Sequence, residues 1–240
     1  MIEEQQVMSR RERLRAQTLQ EIEDASFAII DADGAHALSI AALARSMAMS
    51  APATYRYFPS RDALLTHLIN RSYQQLAAAM AEAVQGNRRT PRARVRLLVA
   101  AYRDWALRHR HRYGMLFGQR TGGLPDDADG QTPLDPAMAL LVDLLTAVPD
   151  HPAADASSGD RTLDTQLRTW ARVQQRPDTP PRAARTAIVI WTRVHGIVSL
   201  ELTGIFDGQA VEVQRLIDLE VDDAVRLLYP APQAGPSVGL

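Results

Sequence analysis

Between Ser39 and Arg61 the chain carries three arginines, Arg45, Arg56 and Arg61, and no acidic residue. The same stretch offers hydroxyls at Ser50, Tyr55 and Tyr57. Guanidinium and hydroxyl groups are side-chain donors that bind phosphate oxygens, arginine in a forked geometry. Ala51, Pro52 and Ala53 lie among them and are small enough to let a helix start approach a polyanion closely. The chain as a whole could not attract one: 27 basic residues face 28 acidic ones, for a formal charge of -1 and a pI near 6.6. Any affinity for nucleic acid must therefore come from a local patch, and this stretch is the candidate. Arg10, Arg11, Arg13 and Arg15 form a second basic cluster ahead of the first helix. It reads as well as an arm for a minor groove or a phosphate as it does as a solvated helix start partly neutralised by Glu12.

Apolar residues recur at helical spacing along nearly the whole chain, with no alternating strand pattern, so the expected fold is all-α. Leu14, Ile22, Ala25 and Ile29 mark a first helix over 9–33, stopped by Asp33-Gly34. Ser39 caps a short helix carrying Ile40, Leu43 and Ala44, and another short helix is expected around 51–57. Ser60 opens a long one whose inner face is Leu64, Leu65, Leu68, Tyr73, Leu76, Met80 and Val84, ending near Gly86. Residues 92–109 place Val95, Leu98, Val99, Tyr102, Trp105 and Ala106 on one face. Further helices are expected at 110–118, 135–147, 160–175, 180–205 and 209–229, with loose Gly-, Pro- and Asp-containing loops at 119–134 and 148–159. The expected division is a compact domain over 1–60, a connecting helix over 60–85, a larger helical domain over 61–230, and a disordered tail at 231–240.

Two short helices separated by a tight turn, the second small and polar, are what a helix-turn-helix requires. The first braces across the DNA backbone while the second enters the major groove, which is about 12 Å wide. The residues Leu43-Ala44, Ala48-Met49-Ser50-Ala51-Pro52-Ala53, Tyr55-Arg56-Tyr57-Phe58-Pro59-Ser60-Arg61 and Leu64-Leu65 closely resemble the N-terminal domain of tetracycline-repressor (TetR) family regulators. The resemblance runs from residue 9 to about 85. It implies a three-helix DNA-binding domain in which Ser39, Tyr55, Tyr57 and Arg61 hold phosphates. Ala51, Pro52, Ala53 and Arg56 would face base edges, Arg56 by a bidentate contact to guanine, and Phe58 would pack inward. Three positions depart from the family pattern. Ala48 stands where glycine is usual, so a left-handed backbone there costs about 1 kcal/mol. Thr54 occupies a place usually apolar, and Arg61 replaces a lysine.

The helix expected at 180–205 is apolar on most sides, through Ala187, Ile188, Ile190, Trp191, Val194, Ile197, Val198, Leu200, Leu202 and Ile205. A helix of that kind must be covered all round, by its own domain on one side and by a second subunit on another. Paired with the helix at 209–229 across a twofold axis it would make a four-helix dimer interface, as the resemblance also implies. Trp191 to Leu202, with its Trp…His195-Gly196 pattern, is similar to one TetR C-terminal subfamily, and Tyr113-Gly-Met-Leu-Phe117-Gly118 to the segment that accompanies it. An effector pocket would lie among these helices, lined by Tyr102, Trp105, Tyr113, Met115, Leu116, Phe117, Trp170, Trp191 and His195. Each of these also reads as plain core.

Other chemistry finds little support. Cysteine is absent, which removes disulfides, thiol nucleophiles and zinc fingers. There is no G-x-S-x-G, Walker, G-x-G-x-x-G or H-E-x-x-H motif, and His109 and His111 point to different sides of a helix. No metal and no cofactor is expected. No signal-peptide pattern or membrane-length apolar run appears, so a cytoplasmic protein without membrane contact is expected. Every basic residue is arginine and alanine is abundant, a usage that suits a GC-rich genome as well as any function. The expectation is therefore a homodimeric transcriptional regulator, a repressor of a palindromic double-stranded operator, released by a small apolar effector. A helical small-molecule-binding protein or enzyme with a non-functional helix-turn-helix start is the alternative.

Overall fold

The computed structural model describes residues 9–86, 90–118, 136–147, 160–226 and 228; these form ten α-helices and one 3-10 turn, with no strand among them. The fold is all-α. The loops expected at 119–134 and 148–159 and the tail at 231–240 lie outside the described residues. The helices divide between two compact units: Met1–Ser72 with His109–Leu124, and Tyr73–Arg108 with Pro125–Leu240.

In the first unit, α1 (Arg10–Asp33) starts at Ser9 in a reciprocal cap. The Ser9 N–H donates to Glu12 Oε2 at 2.7 Å, and the Glu12 N–H donates to the serine hydroxyl. Hydrogen bonding from the Ser9 hydroxyl and backbone N–H holds the Glu12 carboxyl below its usual pKa. The helix stops at Gly34, whose φ of +83° suits glycine. Its inner face is Ile22, Glu23, Ser26, Phe27 and Ile30. Leu14, expected inward, is 55% exposed.

After a 3-10 turn at Ala35–Ala37 come α2 (Ile40–Ser46) and α3 (Ala51–Tyr55). Ser39 caps α2 by accepting from the Ala42 N–H at 3.0 Å. Between the two helices Ala48 takes a φ of +51°. The Met49 N–H donates to Ala44 O at 2.9 Å and the Ala48 N–H to Arg45 O at 3.3 Å, a Schellman stop. The glycine-type backbone is thus kept without glycine. The second helix is shorter than expected, because Tyr57 and Phe58 both donate to the Thr54 carbonyl and tighten the chain into a turn.

Helix α4 (Arg61–Val84) is capped by Ser60, whose hydroxyl accepts from the Ala63 N–H at 3.0 Å. Its residues 61–72 belong to the first unit and 73–84 to the second. The first unit's core is Ile22, Phe27, Ile30, Leu38, Ile40, Leu43, Phe58, Leu64 and Leu68. Glu23, almost fully buried, is held by Arg71 Nε at 2.9 Å and lies 2.7 Å from His67 Nε2.

The second unit is built around α9 (Pro181–Leu202), which packs against α5 (Pro91–Arg108), α7 (Pro136–Thr146), α8 (Arg161–Val173) and α10 (Val213–Arg226). All six residues expected on the inner face of α5 are buried. Forked arginine–carboxylate pairs tie the helices together. Arg92 and Arg96 of α5 both bind Asp222 of α10, and Arg103 binds Glu201 of α9. The two guanidiniums, Arg92 foremost, hold the Asp222 carboxyl down to about 2. α9 ends at Leu202 in a second Schellman stop at Gly204, so Ile205 lies beyond the helix and exposed.

Candidate nucleic-acid interface

The surface residues of α2, α3 and the first turns of α1 form the candidate site. Ser50 caps α3, its hydroxyl 3.4 Å from the Ala53 N–H. Ala51, Pro52, Tyr55 and Arg56 are exposed, and Ala53 and Tyr57 half-buried. Tyr55 keeps 51% of its surface open, a poor position for an aromatic ring unless something covers it. Thr54 faces the opposite way and is fully buried. Its hydroxyl reaches back 3.4 Å to the Ser50 carbonyl, so the polar group at this usually apolar place has an acceptor within the helix. Phe58 packs inward as expected, 7% exposed. Ser39 is half-buried at the start of α2, and Arg45 is exposed on the same helix.

Charge is distributed unevenly over this unit. Arg10, Arg11, Arg13, Arg15, Arg45 and Arg56 are exposed, and none makes an ion pair among the described residues. Arg71 and Arg112 have carboxylate partners, Glu23 and Asp31. Arg110 is likewise exposed with no carboxylate partner among the described residues, but six unpaired cations gather at the start of α1 and on α2–α3. That is the local patch a chain of neutral net charge needs in order to bind a polyanion.

One sequence expectation changes here, that of the arm ahead of the first helix, and Arg61 and Arg56 make contacts that the sequence does not show. Arg61, expected on a phosphate, donates from Nε to the Leu38 carbonyl at 2.7 Å and from Nη2 to the Ala35 carbonyl at 2.8 Å. It fastens the turn before α2 to the start of α4, a reach that lysine, with one nitrogen, cannot duplicate. Arg10, Arg11, Arg13 and Arg15 are not an arm ahead of the first helix, because the Ser9–Glu12 cap starts α1 before them. Arg56, expected at a base edge, is the C-cap of α3, and with Tyr57 it lines a cleft shared with Arg11, Leu14, Arg15 and Thr18 of α1.

The expected effector residues fall into three places. Tyr102, Trp191 and His195 come together in the second unit. The Tyr102 hydroxyl lies 3.0 Å from His195 Nδ1, and the Tyr102 and Trp191 rings meet edge-on at 5.3 Å. Burial pushes the His195 pKa down, so the imidazole is neutral at neutral pH. Trp105 is buried on the same face of α5 as Tyr102. Trp170 stands apart, beside a shallow groove on α8 with Thr165, Gln166, Thr169 and Val173.

Tyr113, Met115 and Phe117 lie on α6 (Arg110–Phe117), together with Leu116, and α6 belongs to the first unit. Met115 packs against that unit's core, and the Tyr113 and Phe117 rings meet tilted, with centroids 4.8 Å apart. Next to them His111 Nδ1 lies 2.9 Å from the Ile30 carbonyl, and the Arg112 guanidinium sits 3.9 Å over the Phe27 ring. Through Met115, His111 and Arg112, α6 packs on α1 and the first unit's core. Among the described residues no helix is long and apolar enough to cross a membrane, and no cluster of His and carboxylate groups could hold a metal ion.

Known proteins share this arrangement. A family profile described as bacterial regulatory proteins, tetR family, matches residues 22–68, and one described as tetracyclin repressor-like, C-terminal domain, matches residues 95–224. The HTH-type transcriptional regulator Rv1816 of Mycobacterium tuberculosis is 28% identical over 180 residues, covering 71% of this chain and 74% of its own. Among solved structures, the regulatory protein SCO4313 superposes with a TM-score of 0.71 at 35% identity, over 90% of this chain and 99% of its own. TetR from Acinetobacter baumannii AYE shares the fold with a TM-score of 0.54 at 14% identity, over 86% of this chain and 93% of its own. Both halves of the chain match and the donor patch lies on the helix-turn-helix, so the chain belongs to the TetR family of DNA-binding transcriptional regulators.

Proposed function

We propose that this regulator is a homodimeric, cytoplasmic repressor that a small, largely apolar molecule releases from a palindromic operator. The observation that carries the reading is the cluster of unpaired arginines on the helix-turn-helix unit of a chain whose net charge is -1. Two copies would present two such patches to half-sites about one helical turn apart, roughly 34–36 Å. Ala51, Pro52 and Ala53 approach base edges, and Ser39, Ser50, Tyr55 and Tyr57 hold the flanking backbone.

The dimer forms through α9 and α10. Leu200 is 51% and Leu219 57% exposed, one on each of two helices whose other faces are buried, and a second copy covers them. The effector binds near Tyr102, Trp191 and His195, where one neutral imidazole and one phenol give polar recognition among apolar rings. α4 contributes residues to both units and carries the response. The effector favours a dimer whose recognition helices no longer match successive major grooves, with a coupling of about 1–3 kcal/mol.

Selection of bound sequences from random duplex DNA at two salt concentrations tests the reading. A palindromic site is the expected product, and a search of the source genome with it would point to the effector's chemistry. Weak binding with no enriched sequence would overturn it and leave the helical half to be tested as a small-molecule-binding protein or enzyme.

A further inference from the structure

The cleft between α1 and the end of α3 has a volume of about 240 Å³ and is lined by Arg11, Leu14, Arg15 and Thr18 on one side and Arg56 and Tyr57 on the other. The α1 residues lie at i, i+3, i+4 and i+7, one stripe about 100° wide on a helix. Three guanidiniums converge there with no carboxylate in the lining. Thr18 does not compete for a ligand, since its hydroxyl donates to the Leu14 carbonyl at 3.0 Å. Glu12 is held by Ser9 and lies off the stripe.

A second observation is that these charges defy the helix they sit on. The N-terminal turns of a helix favour anions and disfavour cations, yet four of the first six residues of α1 are arginines. A solvated helix start gives no reason for that arrangement. A bound anion does, because it would meet both the side chains and the positive end of the helix. Leu14, 55% exposed between Arg11 and Arg15, gives the cleft one apolar wall, which suits a deoxyribose better than a fully hydrated free ion.

We infer that this cleft seats a backbone phosphate of the operator strand that flanks the recognition helix, with Arg11 and Arg15 of α1 closing on it from one side and Arg56 from the other. The inference rests on the DNA-binding reading and extends the interface beyond the helix-turn-helix onto α1. It also moves Arg56 from base readout to backbone positioning.

The test compares wild type, R11Q/R15Q and R56Q, with R168Q on α8 as a control for charge, by fluorescence anisotropy on selected operator and on random duplex across a salt series. Freeing one phosphate in each half-site weakens binding about fivefold per half-site at 0.15 M salt and roughly thirtyfold for a dimer. R11Q/R15Q and R56Q should each lose about that much on both duplexes. The slope of log K against log salt should become shallower by about two, with the order of base preferences and the R168Q affinity unchanged. Glutamine removes repulsion at a helix start, so R11Q/R15Q should keep or raise its Tm, and a lost fold would not mimic the result. Wild-type affinity and slope in R11Q/R15Q, with wild type binding its operator, would overturn the cleft and leave the DNA-binding reading standing. A changed preference at one operator position in R56Q, with the slope intact, would return Arg56 to base readout and overturn the inference. The inference also falls if inorganic phosphate at constant ionic strength raises the Tm of wild type but not of R11Q/R15Q while their DNA slopes agree, since the cleft then takes a free anion. Failure of wild type to bind any duplex would defeat the DNA-binding reading itself.

Discussion

Substitution of Arg61 separates two roles that the sequence alone runs together. A phosphate ligand and a fastener would both be cations at the start of α4, but the structure commits two of the three guanidinium nitrogens to the Leu38 and Ala35 carbonyls. A hydrogen bond to a charged group contributes about 1.5–3 kcal/mol. The side chain is half-buried, and water can replace part of what is lost. Arg61→Ala should therefore cost about 2 kcal/mol in total rather than the full worth of two such bonds. For a chain of this length that is a fall in Tm of roughly 4–8 °C. Arg61→Lys keeps the charge but reaches one carbonyl, and should lose about half as much. Operator affinity should weaken in both variants, because the turn that leads into α2 is no longer anchored. The slope of log K against log salt should stay at the wild-type value, since every phosphate keeps its protein partner. Thermal melts and a salt series of anisotropy titrations read the two quantities independently. An unchanged Tm with a slope shallower by about two in Arg61→Ala, and full recovery in Arg61→Lys, would show Arg61 to be a phosphate ligand and not a fastener.

Three further outcomes follow from the same structure. Ala48→Gly relieves the left-handed strain at φ +51° and should stabilise the chain by about 0.5–1 kcal/mol after the glycine's extra unfolded-state entropy is subtracted; a lower urea midpoint would contradict this. Asp222 has a folded pKa of about 2 against an ordinary 3.8, so the folded state favours its ionised form. Its contribution is complete above about pH 4 and is lost as the pH falls toward 2, hence Asp222→Asn should flatten the acid limb of stability against pH. Parallel acid limbs for the two proteins would show that the arginine cluster is not responsible. Leu200→Glu with Leu219→Glu puts four charges into the proposed dimer interface and should give monomers in sedimentation equilibrium with unchanged helical circular dichroism; persistent dimers would place the interface elsewhere.

What could be read from the sequence was what lies close together along it. Ser39, Ser50 and Ser60 all cap helices, because a cap is decided by its own residue and the next three. The six buried residues of α5 were legible for the same reason, as one face repeating every three or four positions. The Ser9–Glu12 cap could have been found by its S-x-x-E spacing, and would have put the basic cluster inside α1. Pairings between distant residues leave no such trace. Glu23 finds Arg71 48 positions away, Arg92 finds Asp222 at 130, and Arg61 finds Leu38 at 23. Periodicity says that a helix has an inner face, not which helix it meets. That is also why α6, whose aromatic residues look like pocket lining, is found packed on α1 in the other unit.

The same limit explains why the composition concealed the interface. An all-arginine chain balanced by 28 acidic residues gives no sign of where charge is free. In the second unit several arginines are spent on structure: Arg92 and Arg96 on Asp222, Arg103 on Glu201, Arg176 on Asp143 and Arg193 on Glu220. Pairs of this kind, all but Arg193–Glu220 forked, neutralise the cation and order both partners. Among the described residues the arginines of α1, α2 and α3 have no such partners, and those at the start of α1 oppose the local helix preference. Cations placed at a cost to folding, and clustered without carboxylate partners on the face that carries the helix-turn-helix, are cations kept for a ligand. A net charge of -1 is then compatible with DNA binding, because charge is distributed locally and several of the carboxylates that enter the total are bound to other arginines, as Asp222, Glu201 and Asp143 are.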